Sequence, residues 1–221
     1  MIAMLRIAVP VGAALALAAV LVIANPSNGA APAPQASAVP TGLEVATFAS
    51  GCFWCTESDF DKVPGVKETI SGFMGGQTKN PTYAQVSMGD TGHAEAVQLK
   101  YDPKQVSYQQ LLDYYWRHVD LLDGGGQFCD RGSQYRPVIF AHTGEQKKLA
   151  EDSKAALESS KRFDAPIAVQ IVDAGPFTPA EDYHQNYYET NPLKYRYYRY
   201  ACGRDARLKE IWGAEADTAM H

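Results

Sequence analysis

The segment Gly51-Cys52-Phe53-Trp54-Cys55 places a cysteine where a short apolar strand gives way to a helix. Free N–H groups and partial positive charge at a helix N-terminus favour a thiolate over a thiol. A thiolate at this place would be a nucleophile near neutral pH. Phe53 and Trp54 are large enough to wall an apolar pocket beside it, although either could belong to the core. The segment therefore predicts a reactive Cys52 next to an apolar surface.

Three further segments contain polar side chains that could assist such a nucleophile. Glu95 opens a strand with an apolar face, so burial should raise its pKa and keep it protonated as a proton donor. Tyr83 follows Asn80-Pro81, and Asp130 and Tyr135 lie in a Gly-rich loop over residues 123–135; their side chains can donate or orient hydrogen bonds. Each also has a plainer explanation: a solvated edge-strand carboxylate, a packing ring or ordinary turn chemistry.

Alternating strands and helices must position these side chains. Short apolar runs predict strands at Leu43–Ala49, Val66–Phe73, Ala94–Tyr101, Val138–Ala141 and Ile167–Val172. Amphipathic or capped segments predict helices at Cys52–Phe60, Thr82–Met88, Ser107–His118, Thr143 (as N-cap) to about Lys161, and Glu181–Tyr188. The pattern predicts an α+β fold, a compact two-layer mixed sheet with packed helices and a ferredoxin-like core. Beyond Asn191-Pro192 we expect a long, mostly irregular C-terminal tail.

The N-terminal segment has the features of a targeting segment rather than of a folded element. Arg6 is followed by an uncharged apolar run over residues 7–24, which predicts a secretory signal or an uncleaved membrane anchor over residues 1–24. Residues 25–42 are rich in Pro, Ala, Ser and Gly and predict an extended tether before a single domain over residues 43–221. We expect that domain to be exported, and to be periplasmic or anchored facing the periplasm.

The composition narrows the function classes. The 221 residues are 46% hydrophobic and 20% charged, with a formal net charge of -5, which is typical of a globular protein without affinity for nucleic acid. The Tyr- and Arg-rich stretch 183–200 could stack on single-stranded nucleic acid, but packing over an acidic domain is the better interpretation. Four cysteines are too few for a disulfide scaffold and suit a redox or metal site.

Four segments together resemble one enzyme family. GCFWC, NPTY, GDTGHAEAV and FCDRGSQYRP, in this order, are similar to the class A peptide methionine sulfoxide reductases, and the resemblance covers the chain from about Val45 to Gly203. It implies reduction of the S epimer of methionine sulfoxide, free or in oxidised proteins. It implies no metal or organic cofactor, and a thioredoxin or an exported thioredoxin-like dithiol as reductant.

The resemblance also implies a role for each site residue. Cys52 would attack the sulfoxide sulfur and become a sulfenic acid, while Glu95 gives a proton to the sulfoxide oxygen. The remaining roles are the methyl pocket (Phe53 and Trp54), the oxygen site (Tyr83 and Tyr135), the substrate backbone amide (Asp130) and a supporting place near the pocket (His184).

The cysteine that resolves the sulfenic acid is not settled by the residues. Cys55 lies one helical turn from Cys52, where many relatives have glycine, and Cys202 lies in the tail where the family often places its resolving cysteine. We expect Cys202 to attack Cys52, with Cys55 as a relay or, as the second choice, as the direct resolver. We expect Cys129 to be a small buried hydrophobic residue.

Two other functions compete with this interpretation. The Cys52-x-x-Cys55 spacing also fits a thioredoxin-like thiol-disulfide oxidoreductase, which would leave the acid and the tyrosines without a role. A non-catalytic zinc module could use the four cysteines with His93 or His184, but the chain has one CxxC pair and its other two cysteines lie far apart.

Overall fold

The computed structural model describes residues 40–217. The strands are β1 (Glu44–Ala49), β2 (Val66–Met74), β3 (Ala94–Tyr101), β4 (Gly126–Gln127), β5 (Asp130–Arg131), β6 (Val138–Ala141), β7 (Gln170–Asp173) and β8 (Thr178–Pro179). The helices are α1 (Phe53–Phe60), α2 (Tyr83–Ser87), α3 (Tyr108–Arg117), α4 (Gly144–Ser159), α5 (Tyr187–Thr190), α6 (Pro192–Ala201) and α7 (Arg204–Trp212). The predicted N-terminal signal or anchor and most of the tether lie outside the described residues, so their boundaries stay predictions.

Six strands form one mixed sheet in the order β7-β6-β1-β3-β2-β8. Neighbouring strands are antiparallel, except that β6 and β7 are parallel. Without the short α2 and the hairpin of β4 and β5, the chain order is strand–helix–strand–strand–helix–strand, formed by β1, α1, β2, β3, α3 and β6. The four strands of this unit lie in the order β6-β1-β3-β2. This is the arrangement of a ferredoxin-like core, so the predicted fold class is confirmed.

The turn between β1 and α1 holds the first cysteine in place. β1 is buried from Ala46 to Ala49 and ends at Ser50-Gly51, after which Cys52 forms the N-cap of α1. Gly51 has φ +89°, and a Cβ on it would lie 2.5 Å from the Cβ of Gln127. Glycine is therefore required here by both backbone conformation and close packing.

Side-chain caps start α2, α3 and α4 where the sequence predicts these helices. Thr82 and Ser107 each form a capping box, with Gln85 and Gln110 respectively. Thr143 accepts a hydrogen bond from the backbone N–H of Gln146 at 3.1 Å, which confirms its predicted role as N-cap of α4.

The prediction of an irregular C-terminal tail was wrong. α6 and α7 occupy most of it, with Pro192 in the first turn of α6 and Gly203, at φ +67°, between the two helices. Tyr195, Leu208 and Trp212 are buried, so tertiary packing stabilises both helices. None of the helices within residues 40–217 is long and apolar enough to cross a membrane.

Two other elements differ from their predicted form. The expected buried strand over Ile167–Val172 begins only at Gln170, and β7 is largely exposed at the edge of the sheet, whereas Ile167 and Val169 are buried before it starts. The expected helix over Glu181–Tyr188 is split into a 3₁₀ turn and α5, because Asn186 adopts a left-handed φ of +51°.

We expect Gly51→Ala to lower the free energy of unfolding by at least about 1 kcal/mol, because it strains a positive φ and drives a methyl group into Gln127. Urea unfolding measures the change. Gly144→Ala is the matched control, since a Cβ on Gly144 meets nothing within 4 Å and its φ is not positive. An equal and small effect of both variants would contradict the close packing at Gly51.

Candidate active site

A cavity of about 80 Å³ lies at the N-terminal end of α1. It is lined by Cys52, Phe53, Trp54, Tyr83, Glu95, Asp130, Tyr135 and Tyr198. Apart from Tyr198, all of these residues are sequence-predicted site residues. They come from α1, α2, β3, the Gly-rich loop and α6, so tertiary structure brings five separate segments to one place.

Cys52 and Glu95 meet at the start of α1. Cys52 is 7% exposed and Glu95, near the beginning of β3, is 2% exposed. The backbone N–H of Phe53 donates a hydrogen bond to Glu95 Oε2 at 3.0 Å. The carboxyl group therefore accepts a hydrogen bond from the first backbone N–H of α1, which has no partner within the helix.

The Glu95 carboxyl group is protonated at neutral pH. Burial raises its pKa to about 8, against the opposing effect of the Phe53 hydrogen bond, and the nearby Asp130 and Cys55 raise it further. Below pH 8 the protonated form predominates. The sequence prediction of a desolvated, protonated glutamic acid is confirmed.

The sequence prediction of a Cys52 thiolate in the resting site was wrong. Burial raises the pKa of Cys52 well above its ordinary value, and Cys55 and Glu95 raise it further. The first helical N–H serves Glu95 instead of the sulfur, so the helix end does not lower the Cys52 pKa as expected. The pKa of Cys55 is lowered, because Cys52 hydrogen-bonds to it and the charges of Arg204 and Arg199 lie close by.

The two aromatic residues after Cys52 form one wall of the cavity. Phe53 is 1% exposed, and its ring packs against those of Phe73 and Tyr83. Trp54 stacks on Tyr187 with ring centroids 3.7 Å apart. Both rings therefore serve as core on one side and as pocket wall on the other.

His184 supports this wall from behind. It is buried and does not line the cavity, and its Nδ1 accepts a hydrogen bond from the Trp54 indole N–H at 3.0 Å. Burial lowers the pKa of His184, so the ring is neutral and carries its proton on Nε2. The packed, hydrogen-bonded histidine that the sequence favoured thus orients Trp54.

Hydroxyl groups form the polar side of the cavity. Burial raises the pKa of both Tyr83 and Tyr135, so each keeps its proton and can donate a hydrogen bond. The Tyr198 hydroxyl donates to the Asp130 carboxylate. Tyr198 is missing from the sequence prediction, because it is one of seven tyrosines between Tyr183 and Tyr200 and nothing in the local pattern distinguishes it.

Two groups of buried charges outside the cavity also escaped sequence analysis. Glu57, with a pKa raised by burial to about 7, accepts the backbone N–H of Asn186 at 3.0 Å and so holds the turn between His184 and α5. A charged residue in a helix that begins with the apolar residues Phe53 and Trp54 was the available signal.

The second group joins α6 and α7 to the active-site helix. Asp59, on α1, pairs with Arg199 at 2.8 Å and with Arg204 at 3.6 Å. Arg204 is 2% exposed and donates to the carbonyl oxygens of Ser50 at 3.0 Å and His118 at 2.6 Å. These contacts bring two positive charges close to Cys55.

The remaining cysteines form a disulfide. Cys129 and Cys202 are bonded, with their Cα atoms 4.8 Å apart, whereas Cys52 and Cys55 are free. Cys202 is thus paired with Cys129, whereas the sequence led us to expect that it would react with Cys52. Cys129 is exposed, so its prediction as a buried hydrophobic residue was wrong.

A zinc module gains little support from this arrangement. Within residues 40–217 the single group of three or more candidate ligands is Cys129, Asp130 and Cys202. Its two sulfurs are bonded to each other, so they are not the thiolates that zinc requires.

Comparison with known proteins shows the family of the chain. A family model described as peptide methionine sulfoxide reductase matches residues 44–216. The chain belongs to the peptide methionine sulfoxide reductase family. The resemblance found in the sequence is thereby confirmed, and the chain is an oxidoreductase that reduces methionine sulfoxide.

Individual relatives agree with this assignment. The chain is 50% identical over 174 residues to peptide methionine sulfoxide reductase MsrA of Bacillus licheniformis, covering 79% of this chain and 96% of that protein. It is 51% identical over 173 residues to the MsrA/MsrB protein of Vibrio cholerae, covering 78% of this chain but 46% of that longer protein.

Solved structures of the family share the fold. Methionine sulfoxide reductase A of Corynebacterium diphtheriae is 34% identical, with a TM-score of 0.61, covering 69% of this chain and 77% of that chain. Reduced Mxr1 of Saccharomyces cerevisiae is 32% identical, with a TM-score of 0.63, covering 69% of this chain and 88% of that chain.

Proposed function

We propose that this reductase acts on the S epimer of methionine sulfoxide, free or in oxidised proteins, with Cys52 as nucleophile and Glu95 as acid. The observation that carries the proposal is the buried, protonated Glu95 carboxyl group in the same small cavity as the Cys52 sulfur. A sulfoxide sulfur is electrophilic, but its oxygen leaves only after protonation, so the reaction needs both groups at one place.

The first step moves an oxygen from substrate sulfur to Cys52. Cys55 reacts as a thiolate in this step, since its pKa is lowered by the hydrogen bond with Cys52 and by the charges of Arg204 and Arg199. Cys52 Sγ attacks the sulfoxide sulfur while its own proton passes to this Cys55 thiolate. Glu95 gives its proton to the sulfoxide oxygen, and the Tyr83 and Tyr135 hydroxyls donate hydrogen bonds to the same oxygen. Methionine leaves, and the site then holds a Cys52 sulfenic acid, a Cys55 thiol and a Glu95 carboxylate.

The aromatic wall accounts for the choice of epimer. With the oxygen directed at Glu95 and the tyrosines, the substrate methyl group is directed at Phe53 and Trp54, which offer only apolar surface. In the R epimer, two of the groups on the sulfur are interchanged. Either the main chain would then point at these rings in place of the methyl group, or the oxygen would, and the rings cannot donate a hydrogen bond to that oxygen. Asp130, at the rim, is the acceptor for the substrate backbone amide.

Cys55 is the resolving cysteine in this proposal. It is buried beside Cys52 and hydrogen-bonded to it, whereas Cys202 is held in a disulfide with Cys129. The Cys55 thiol condenses with the Cys52 sulfenic acid, which forms the Cys52–Cys55 disulfide and releases water. An external dithiol of the thioredoxin type then reduces this disulfide and is itself oxidised, so the cycle uses no metal or organic cofactor.

Replacing Glu95 should lower kcat/KM and remove its decrease at alkaline pH. We expect Glu95→Gln to lower kcat/KM by about 10²- to 10⁴-fold, because the sulfoxide oxygen loses its proton donor. In the wild-type protein kcat/KM should fall as the pH rises through about 8, where Glu95 loses its proton, and this limb should be absent in the variant. Methionine formation across the pH range is the measurement.

Glu151→Gln is the control for this prediction, since Glu151 is an exposed carboxyl group on α4. It should retain wild-type activity and the alkaline limb. A wild-type rate that stays flat through pH 8 would contradict the role of Glu95.

Loss of Cys55 should still allow one turnover, but a slower one, because Cys55 also accepts the Cys52 proton in the first step. Reduced Cys55→Ser should form one methionine per protein and retain a Cys52 sulfenic acid that dimedone traps, and it should fail to cycle with a dithiol protein. Mass spectrometry of the oxidised protein identifies the cysteine pair. Cys129→Ser/Cys202→Ser is the control and should still form the Cys52–Cys55 disulfide; a Cys52–Cys202 disulfide in Cys55→Ser would instead make Cys202 the resolver.

The apolar run over residues 7–24 supports export of the reductase, so we place its work in the periplasm or on an anchor facing it. Cytosolic thioredoxin would not reach that compartment. The reductant is therefore an exported thioredoxin-like protein or a membrane-passed donor of electrons.

Residues 1–42 fused to alkaline phosphatase should give phosphatase activity in bacteria, because that enzyme becomes active only after export. The same fusion lacking residues 7–24 should be inactive. Equal inactivity of both fusions would refute the proposed export.

A further inference from the structure

The Cys129–Cys202 disulfide lies outside the catalytic cavity and takes no part in the proposed reaction. It joins the loop just before β5 to the C-terminal end of α6, across 73 residues of sequence. Cys129 is exposed, in contrast to the buried pair Cys52 and Cys55.

Each bonded cysteine lies next to a cavity residue. Asp130 directly follows Cys129, and the backbone N–H of Cys202 donates to the carbonyl oxygen of Tyr198 at 2.9 Å. The Tyr198 hydroxyl donates to the Asp130 carboxylate. The disulfide and this hydrogen bond are thus two parallel links between the same loop and the same helix.

The Asp130–Tyr198 pair lies against the nucleophile. Both residues line the cavity with Cys52, and the nearby Tyr198 hydroxyl lowers the pKa of Cys52, against the larger effect of burial, which raises it. A hydroxyl has one proton and two lone pairs, so it can donate to Asp130 at rest and turn its proton to a Cys52 thiolate when one forms.

The loop and the helix have different anchors apart from this contact. Gln127 ties the loop to Asp120, through its amide oxygen at 2.8 Å and its amide nitrogen at 2.9 Å. Arg199 ties α6 to Asp59. Neither anchor fixes the position of Asp130 relative to Tyr198, whereas a covalent bond between their neighbours does.

We propose that the Cys129–Cys202 disulfide positions the Asp130–Tyr198 pair against Cys52, and thereby sets both the readiness of Cys52 to ionise and the binding of the sulfoxide. The inference rests on the proposed role of Cys52 as nucleophile. Cys129 and Cys202 are positioning residues, since they act through their neighbours.

The test compares wild type, Cys129→Ser/Cys202→Ser, Tyr198→Phe and the variant with all three changes, each with Cys52 and Cys55 reduced. The rate of Cys52 alkylation by iodoacetamide is followed against pH by tandem mass spectrometry, and the rate of a single turnover is followed against methionine sulfoxide concentration. Loss of the disulfide should shift the alkylation profile to higher pH and raise the half-saturating sulfoxide concentration by roughly threefold to tenfold, the effect of one hydrogen bond.

The Tyr198→Phe background separates positioning from general stabilisation. If the disulfide acts through Tyr198, removing it in this background should have no further effect on either measurement. The proposal would be overturned if the effects of Tyr198→Phe and of disulfide loss multiply in the combined variant. It would also be overturned if loss of the disulfide lowers only the urea midpoint and leaves both profiles unchanged.

Wild-type protein with the disulfide opened gives a second route if the serine variant does not fold. A small dithiol gives two electrons and two protons to the Cys129–Cys202 bond and becomes a cyclic disulfide. The dithiol is then removed in the absence of oxygen. The alkylation profile of Cys52 should match that expected for the serine variant. An unchanged profile would overturn the proposal. Failure of wild-type Cys52 to react with methionine sulfoxide would instead refute the proposed function, since the alkylation profile does not depend on that substrate.

Discussion

The hydrogen bond between the first backbone N–H of α1 and the Glu95 carboxyl group joins the two elements on which the chemistry depends. It fixes the start of the cysteine-bearing helix against β3, in the middle of the sheet. It also keeps the carboxyl group where water does not reach it, so the acid is protonated at neutral pH. The same desolvation keeps Cys52 a thiol at rest. The site therefore holds protons on Cys52 and Glu95, while the pKa of the neighbouring Cys55 is lowered by its hydrogen bond with Cys52 and by Arg204 and Arg199.

That distribution of protons depends on the C-terminal helices. Burying Asp59, Arg199 and Arg204 together is favourable only because each charge finds a partner or a carbonyl oxygen. The net positive field of the two arginines lies beside Cys55 and lowers its pKa. α6 also delivers Tyr198 to the cavity, so one packing arrangement supplies both the field and a hydroxyl group. Removing either arginine would leave a buried carboxylate less well compensated, and would disturb stability and thiol chemistry together.

A CxxC pair at a helix start is shared by different oxidoreductases, and its surroundings decide what it does. Here the cysteines are enclosed by an acid, hydroxyl groups and an aromatic wall, and the cavity is about 80 Å³. An acid and hydroxyl donors directed at one point suit the departure of an oxygen atom. A thiol-disulfide exchange enzyme requires no such acid.

The sequence by itself determined the fold class, the catalytic motif and most of the cavity wall. Strand periodicity and helix caps such as Thr143 are local properties, and Cys52, Glu95, Tyr83, Asp130 and Tyr135 stand in segments with distinctive residue patterns. Only the tertiary structure decided the rest. Tyr198 differs from its tyrosine neighbours only in what α6 packs against, and α6 itself is stabilised by buried contacts rather than by its local sequence. The pKa shifts of Cys52 and Cys55 depend on desolvation and on charges from remote segments. The pairing of Cys129 with Cys202 depends on the approach of two segments that are 73 residues apart. These are properties of distance in space, which spacing along the chain does not encode.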